Sequence, residues 1–378
     1  MRDRRLPYAS LLFLWITMAT QTARALLVFN EGKDQVYVTS TYSIGYDTNV
    51  FSQRVAKGAL TQALSFGASY SRKAGLIGVN ASFGMNFGQF FGIPGQDYAD
   101  PSLTLAFDKG VGRTTGSLSF NVQKVNTPDP IANNRAIGWD YGSVLKLRYP
   151  IIQRFYLTDT ASVGGSSYAN DQLFAAQQTY SDGINMNFVY DSKLDVMDGY
   201  VFTLSHTRDT TSYESALNFG GNGHLLPKLD GSLSVGYSLD DIDIRHQPSE
   251  SFTGIDANVT LNWRVARSFS ITGTAVKDFA ISSTDIITDT TNLGVSMETV
   301  LAKRFRTQVG ITYVTTDFMG KSGGGRIDHL WEFQPNIGTA LTTHIRCNLG
   351  FGYLVNYSNF ANAEFTNEVL SLSVTASY

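Results

Sequence analysis

Apolar residues occupy every second position along most of the chain. In the last segment, "NEVLSLSVTASY", Leu370, Leu372 and Val374 alternate with serine and threonine, and the alternation runs to Tyr378. Successive side chains of a strand point to opposite faces, so a period of two predicts a β-strand with one apolar and one hydroxyl-rich face.

About eighteen such segments follow one another, and no segment after the first 25 residues has a convincing helical period. Most are about 9–11 residues long, the length that a tilted strand needs to span a bilayer. The pattern predicts eighteen strands, with sixteen as the alternative. The segments are centred near Thr39, Ser65, Ala81, Leu105, Phe120, Leu145, Ala161, Met186, Thr203, Asn218, Val235, Val259, Thr272, Val295, Ile311, Phe333, Leu349 and Val374.

The connections between these segments alternate in length. Long polar ones such as "GQFFGIPGQDYAD" and "KVNTPDPIANNRAIG" alternate with short ones such as "SRKAG" and "LAKR". In a bilayer every backbone N–H and C=O needs a partner within the protein, so strands cross it only as a closed barrel. The sequence therefore predicts an all-β fold, a transmembrane antiparallel β-barrel with short periplasmic turns and long extracellular loops in the bacterial outer membrane.

The first 25 residues have the features of a secretory signal. A basic start, "MRDRR", precedes the apolar stretch Leu11–Ala19, and "ARA" ends at Ala25 with small residues where signal peptidase cleaves. The alternative is an N-terminal membrane anchor, but the apolar stretch is short for a span of about 20 residues. We expect cleavage after Ala25 and a barrel domain over residues 26–378; the mass of the mature protein checks this.

Composition narrows the class of protein further. Charged residues make up 16% of the chain, against about 25% in soluble proteins. The net charge of −3 gives no reason to expect nucleic acid as a partner. Cys347 is the only cysteine, which excludes an intramolecular disulfide, and it lies in an apolar alternation as a small filler.

Two segments carry a family resemblance that covers the whole mature chain. The aromatic-terminated strand "LSLSVTASY" resembles the signal read by the barrel-assembly machinery of Gram-negative outer membranes. The segment "YSIGYDTNVF", residues Tyr42 to Phe51, is similar to a stretch found in a family of β-barrel porins, some of whose members accompany exopolysaccharide export. The resemblance implies that Tyr378 is part of the signal for barrel assembly and that the protein is embedded in the lipid bilayer of the outer membrane.

The face opposite the apolar one supplies the candidate pore-lining residues. The basic candidates near the short turns could favour anions, or could simply be charges that prefer water to lipid. The central candidates are neutral and suit small hydrophilic solutes. The candidates are Lys146, Arg148, Arg264, Arg304, Arg306, Arg346, Asn80, Asn258, Asn262 and Asn348.

No catalytic, cofactor or metal site is predicted. Asp47 and Asn49 in "YDTNVF" offer too few oxygens for calcium, and we interpret them as shaping the turn into the first loop. None of the five histidines forms a pair with a nucleophile that stands out. Asp159 is a misfit because it falls on the apolar side of its segment, which indicates either a bulge or a position close to the interface.

Two functions remain open at this point. The first is a porin-like channel for passive diffusion of small hydrophilic solutes, because barrels of 16–18 strands leave an aqueous channel. The second is a non-conducting accessory or structural barrel of a polysaccharide export or adhesion system. The segments "NTPDPIANNRAIG" and "SSYANDQLFAAQQT" are the best candidates to fold inward and constrict the lumen. The sequence does not decide whether the protein forms a homo-oligomer.

Overall fold

A computed structural model describes residues 27–31, 33–72, 75–302, 304–320 and 324–378. The predicted signal segment lies outside these residues. The described chain is a closed antiparallel barrel of eighteen strands, preceded by one short strand. A 3-10 turn, Ala361–Ala363, lies between the last two strands.

The strands follow one another around the barrel in sequence order. They are β1 Leu27–Phe29, β2 Asp34–Asp47, β3 Ala59–Arg72, β4 Gly78–Phe90, β5 Tyr98–Lys109, β6 Thr115–Asp129, β7 Asn134–Ile152, β8 Phe155–Tyr168, β9 Gln177–Val189, β10 Leu194–His206, β11 Thr210–Leu226, β12 Leu229–Ile244, β13 Glu250–Ala266, β14 Phe269–Ile281, β15 Ile287–Leu301, β16 Phe305–Phe318, β17 Ile327–Ala340, β18 Ile345–Ser358 and β19 Phe365–Ser377.

The last strand closes the barrel onto the first long one. β19 pairs with β2 from Val369 opposite Asp47 to Ser377 opposite Thr39. Tyr378 completes the seam, because its N–H donates to the Val38 carbonyl at 2.9 Å and its carbonyl accepts from the Val38 N–H at 3.0 Å. β1 pairs with the start of β2, below the end of β19. The seam leaves no open edge on either strand.

The predicted strand number is confirmed, and each of the eighteen predicted centres lies in a strand of its own, β2 to β19. The predicted lengths were too short, because the strands run from 12 residues in β5 to 19 in β7. The alternation of loop lengths is also weaker than predicted. The β6–β7 connection shrinks to residues 130–133 and the β10–β11 connection to residues 207–209, because the strands continue into the expected loops.

The pairing assigns each residue to a face, since directly opposite residues share one. Large apolar side chains, for example Leu217, Phe219 and Leu370, are exposed on the outer face. Serine, threonine, asparagine and glycine dominate the inner face, as a water-filled lumen requires. The structure contains no helix, within its described part, that is long and apolar enough to cross a membrane.

Asp159 points outward, and no bulge accounts for it. It lies opposite Leu147 on β7 and opposite Ile184 on β9, in a register that stays regular on both sides of it. Asp182 lies on the same outer face, opposite Ala161 and Phe202. The bulge that the sequence left open is therefore wrong at this position, and two carboxylates interrupt the apolar outer band.

Replacing either carboxylate with leucine should stabilise the barrel. A charged side chain costs free energy on the lipid-facing surface, so Asp159→Leu and Asp182→Leu should each raise the free energy of unfolding by about 1 kcal/mol. Urea unfolding in lipid vesicles measures this. The lumen-facing neighbour Thr160→Leu is the control and should give no gain. Equal gains at all three positions would contradict the assigned faces.

Candidate functional site

Beyond the barrel wall, β6 and β7 continue as a two-stranded hairpin. β5 pairs with β6 only as far as Gln123, and β8 pairs with β7 only from Gly138 onward. Residues 124–137, which we call the lumen hairpin, therefore form ladder pairs only with each other. One further backbone bond runs from the Ala169 N–H, in the β8–β9 loop, to the Ile137 carbonyl at 2.8 Å. Both outer edges of the hairpin are free of barrel pairing, which is the setting in which a strand tolerates Pro128.

Local hydrogen bonds shape the tip of the lumen hairpin. The Asp129 side chain accepts from the N–H of Ile131 at 2.7 Å and of Ala132 at 3.0 Å. Asn133 adopts a left-handed backbone with φ of 50°, a conformation that asparagine accepts more readily than most residues. These two residues turn the chain within residues 130–133.

The lumen hairpin is bound to the β2–β3 loop, residues 48–58. The Gln53 side-chain amide donates to the Asn133 carbonyl at 3.0 Å. The Asn133 amide donates in return to the Ser52 carbonyl at 2.7 Å. These reciprocal bonds fix the position of the tip against the first loop.

Arg135 is the most deeply buried cation of the lumen hairpin, with 8% of its surface exposed. Its guanidinium donates to the Asn126 side chain at 2.9 Å, to the Asn126 carbonyl at 2.5 Å and to the Val50 carbonyl at 3.2 Å. It also lies 4.6 Å from the centre of the Phe90 ring, which belongs to the lumen face of β4. A buried cation is tolerated only with such partners, so Arg135 ties the hairpin to the barrel wall.

The other side of the hairpin reaches the opposite wall. Ser283, in the β14–β15 loop, donates to the Asp129 carboxylate at 2.7 Å. Arg326, in the β16–β17 loop, donates to the Ile131 carbonyl at 3.0 Å. β14 is the eighth strand after β6 in a ring of eighteen, close to diametrically opposite. The lumen hairpin therefore crosses the mouth of the barrel.

The β8–β9 loop, residues 169–176, joins the same assembly. Phe174 is 1% exposed and packs against Tyr168 with ring centres 5.2 Å apart. The N–H of Ala175 donates to the Ser283 carbonyl at 2.7 Å. We call the lumen hairpin and the loops that it meets the cap. Both segments that the sequence marked as candidates to fold inward lie in the cap.

The segment "YDTNVF" builds the loop that receives the hairpin. The N–H of Asn49 donates to the Asp47 carboxylate at 2.8 Å, and the Asn49 amide donates to the Gln53 carbonyl at 2.7 Å. These bonds hold Val50 and Gln53 where they meet the hairpin. The geometry thus supports the turn interpretation. Among the described residues, no group of three or more His, Cys, Asp or Glu side chains is placed to hold a metal ion.

The predicted basic residues lie at the opposite end, near the short turns. Lys146 and Arg148 share the lumen face of β7, beside a recess of about 470 Å³. Arg264 and Arg306 line a second recess of about 800 Å³. Arg346 lies on the lumen face of β18, one residue after its start. Arg304 lies in the β15–β16 turn instead of on the wall.

The four predicted asparagines all lie on the lumen face. Asn80 accepts from the Ser71 hydroxyl at 2.8 Å, and the Asn262 amide donates to the Thr272 hydroxyl at 3.2 Å. Asn258 pairs with Ser234, and Asn348 pairs with Gly338 and Ser373. At these four positions the lumen wall is thus neutral and hydrogen-bonding.

Sequence reasoning did not single out Arg135 or Arg326. Both arginines lie in segments that read as polar loops, where a cation is ordinarily solvated. The available signal was Pro128, which indicated a strand with a free edge. The carbonyl groups of Val50 and Ile131, which accept from these two arginines, are distant along the chain and could not be anticipated.

Solved structures with a similar fold include outer-membrane proteins of Pseudomonas. A BenF-like porin from Pseudomonas fluorescens Pf-5 matches with a TM-score of 0.53 and 11% identity, covering 91% of this chain and 99% of that one. OccK2 (OpdF) from Pseudomonas aeruginosa, solved in complex with glucuronate, matches with a TM-score of 0.51 and 12% identity over 93% and 100%. At these identities the likeness concerns the fold alone.

The FrpB iron transporter from Neisseria meningitidis (F3-3 variant) is a longer protein. The match covers 85% of this chain but only 62% of the transporter, with a TM-score of 0.48 and 9% identity. The chain thus spans less than two thirds of that protein's length. No curated protein matches the sequence.

A closed eighteen-stranded barrel with an apolar outer face, a polar lumen and a cap at one mouth, in a chain matched by a β-barrel porin family model, is a porin-like channel of the bacterial outer membrane. The family model described as "Putative beta-barrel porin 2" matches residues 177–378, which is more than half of the sequence. The chain belongs to this family. The matched residues run from the start of β9 to the C-terminus and so include the seam strand β19.

Arg135→Ala should loosen the lumen hairpin without opening the barrel. The change removes three hydrogen bonds from a charged donor, each worth about 1.5–3 kcal/mol. The loss should speed amide hydrogen exchange in residues 126–137 at least about tenfold. The control is Arg245→Ala, because Arg245 is exposed and its one ion pair, with Asp209, is 3.9 Å long. Unchanged exchange in the hairpin would contradict the anchoring role of Arg135.

Proposed function

We propose that the protein lets small hydrophilic solutes diffuse passively across the outer membrane. The observation that carries this is the continuous polar inner wall of a barrel wide enough for a water-filled channel. The asparagine and hydroxyl side chains of this wall offer solutes hydrogen bonds without binding them tightly. Passage requires that entry be favourable and release easy.

The cap sets the upper size of the solute in this proposal. The lumen hairpin crosses the mouth, and its tip is held by Gln53 on one side and by Ser283 and Arg326 on the other. A solute must therefore pass beside the hairpin. The predicted basic residues near the short turns would act after this constriction, as the far part of the path.

Three expectations from the sequence stay predictions. They are the removal of residues 1–25, the recognition of Tyr378 by the barrel-assembly machinery and the lining roles of the ten candidate residues. The ring of His344 stacks on Tyr378 with centres 4.9 Å apart, which gives the last residue a defined position at the seam. A homo-oligomer is still open.

A closed barrel with an accessory or structural role is the second candidate. The observation in its favour is the cap itself, because polar bonds anchor the tip of the hairpin to the β2–β3 loop and to the β16–β17 loop. A hairpin anchored in this way can leave the lumen shut. Single-channel recording separates the two functions, since a steady open conductance supports the porin.

Shortening the lumen hairpin should widen the channel. Replacing residues 126–137 with a short glycine–serine linker removes the crossing segment, so larger sugars should enter proteoliposomes and single-channel conductance should rise. Swelling rates with sugars of graded size measure the limit for the native protein and for the variant.

The control replaces the β12–β13 turn, residues 245–249, with the same linker, because this turn makes no backbone hydrogen bond with the lumen hairpin in the described structure. The size limit of the control should stay that of the native protein. A native barrel without swelling or conductance would contradict the porin function. If shortening the hairpin leaves the size limit for sugars unchanged, the constriction lies elsewhere in the lumen.

A further inference from the structure

The lumen wall carries carboxylates on four adjacent strands just below the cap. Glu214 on β11 lies directly opposite Asp240 on β12. Ala257 on β13 pairs with Lys277 on β14, and both face outward. Their chain neighbours Asp256 and Asp278 therefore face the lumen. All four carboxylates face inward, as their partners in the ladder do. We call them the acidic tier.

The acidic tier is not neutralised by cations. Within the described chain, none of its four members has an ion pair within 4 Å. Two of them accept hydrogen bonds from serine: Ser212 donates to Asp240 at 2.6 Å and Ser238 donates to Asp256 at 3.2 Å. Lys277 is next to Asp278 in sequence, but it lies on the outer face and pairs with Asp289. Glu214, Asp256 and Asp278 therefore present their charge to the lumen, whereas Asp240 is buried beside Ser212.

The short-turn end carries a smaller net charge of the opposite sign, because three unpaired cations outnumber the lumen-facing carboxylates Asp108 and Asp195 there. Lys146 and Arg148 on β7 and Arg346 on β18 face the lumen and form no ion pair in the described chain. Arg148 lies over the Tyr156 ring, 3.8 Å from its centre. We call these three residues the basic tier. Arg264 and Arg306 are excluded from it because Asp230 and Glu298 neutralise them.

The two tiers are far enough apart to act one after the other. On β13 the tier member Asp256 and the lumen-facing Arg264 near the short turn are separated by eight positions, which is on the order of 27 Å along the strand. This exceeds the Debye length of about 8 Å at physiological ionic strength. An ion in the lumen therefore experiences the acidic tier and the basic tier as two separate fields.

A solute with a net charge is favoured by one tier and opposed by the other. A cation gathers below the cap and is repelled near the short turns, and an anion meets the reverse. A solute without net charge meets no net barrier at either tier. Resting on the proposed channel function, we propose that the lumen favours neutral and zwitterionic hydrophilic solutes over ions of a single sign.

Reversal potentials in a KCl gradient across a planar bilayer test this proposal. The native channel should have a potassium-to-chloride permeability ratio within about twofold of one, because the two tiers oppose each other. Removing the basic tier with Lys146→Gln, Arg148→Gln and Arg346→Gln should raise the ratio above about five. Removing exposed acidic charge with Glu214→Gln, Asp256→Asn and Asp278→Asn should lower it below about one fifth.

The matched control removes charge from the outer face. Lys277→Gln with Asp289→Asn deletes an ion pair at the level of the acidic tier, and it should leave the permeability ratio unchanged. Asp240 is left intact because it is 4% exposed and bonded to Ser212. The single variant Asp278→Asn, on the open lumen wall, keeps the test available if the triple variant does not fold; the ratio should fall with it as well.

Two results would overturn the inference alone. One is a native channel that conducts with strong selectivity for one sign. The other is a conducting channel whose potassium-to-chloride permeability ratio does not change when either tier is removed. A native barrel that conducts nothing overturns the proposed function instead, so the two failures are distinguishable.

Discussion

Backbone hydrogen bonding in hydrocarbon is the constraint on which the structure depends. A peptide group without a partner is too costly inside a bilayer, so the strands have to form a ring without edges. The pairing of β19 with β2 and the two bonds between Tyr378 and Val38 complete that ring. Once the ring is closed, alternation assigns each side chain to lipid or to water, and the lumen exists as a consequence.

The cap uses the same chemistry for a different purpose. At the mouth, water and loops can satisfy backbone groups, so β6 and β7 are free to leave the wall as a hairpin. Arg135 then holds the hairpin to the first loop, and Arg326 holds it to the far wall. Two buried or half-buried arginines thus position the only crossing segment found between opposite walls in the described loops.

The number and faces of the strands could be predicted because both follow from a period of two that each strand carries locally. The strand ends could not, since polar residues such as Asp129 and Asp240 read as loop although they pair in the ladder. The basic end of the lumen was visible in the sequence. The acidic tier was not, because Glu214, Asp256 and Asp278 meet only when four strands are placed in register.

The central claim is that one face of each strand meets water inside a closed barrel while the other meets lipid. Cysteine labelling of the seam strand tests it most directly, in a Cys347→Ala background reconstituted in liposomes. Ser373→Cys, on the lumen face, should react with a membrane-impermeant maleimide, and its neighbour Leu372→Cys should not. Equal labelling of the two positions, or labelling of Leu372→Cys alone, would contradict the barrel described here.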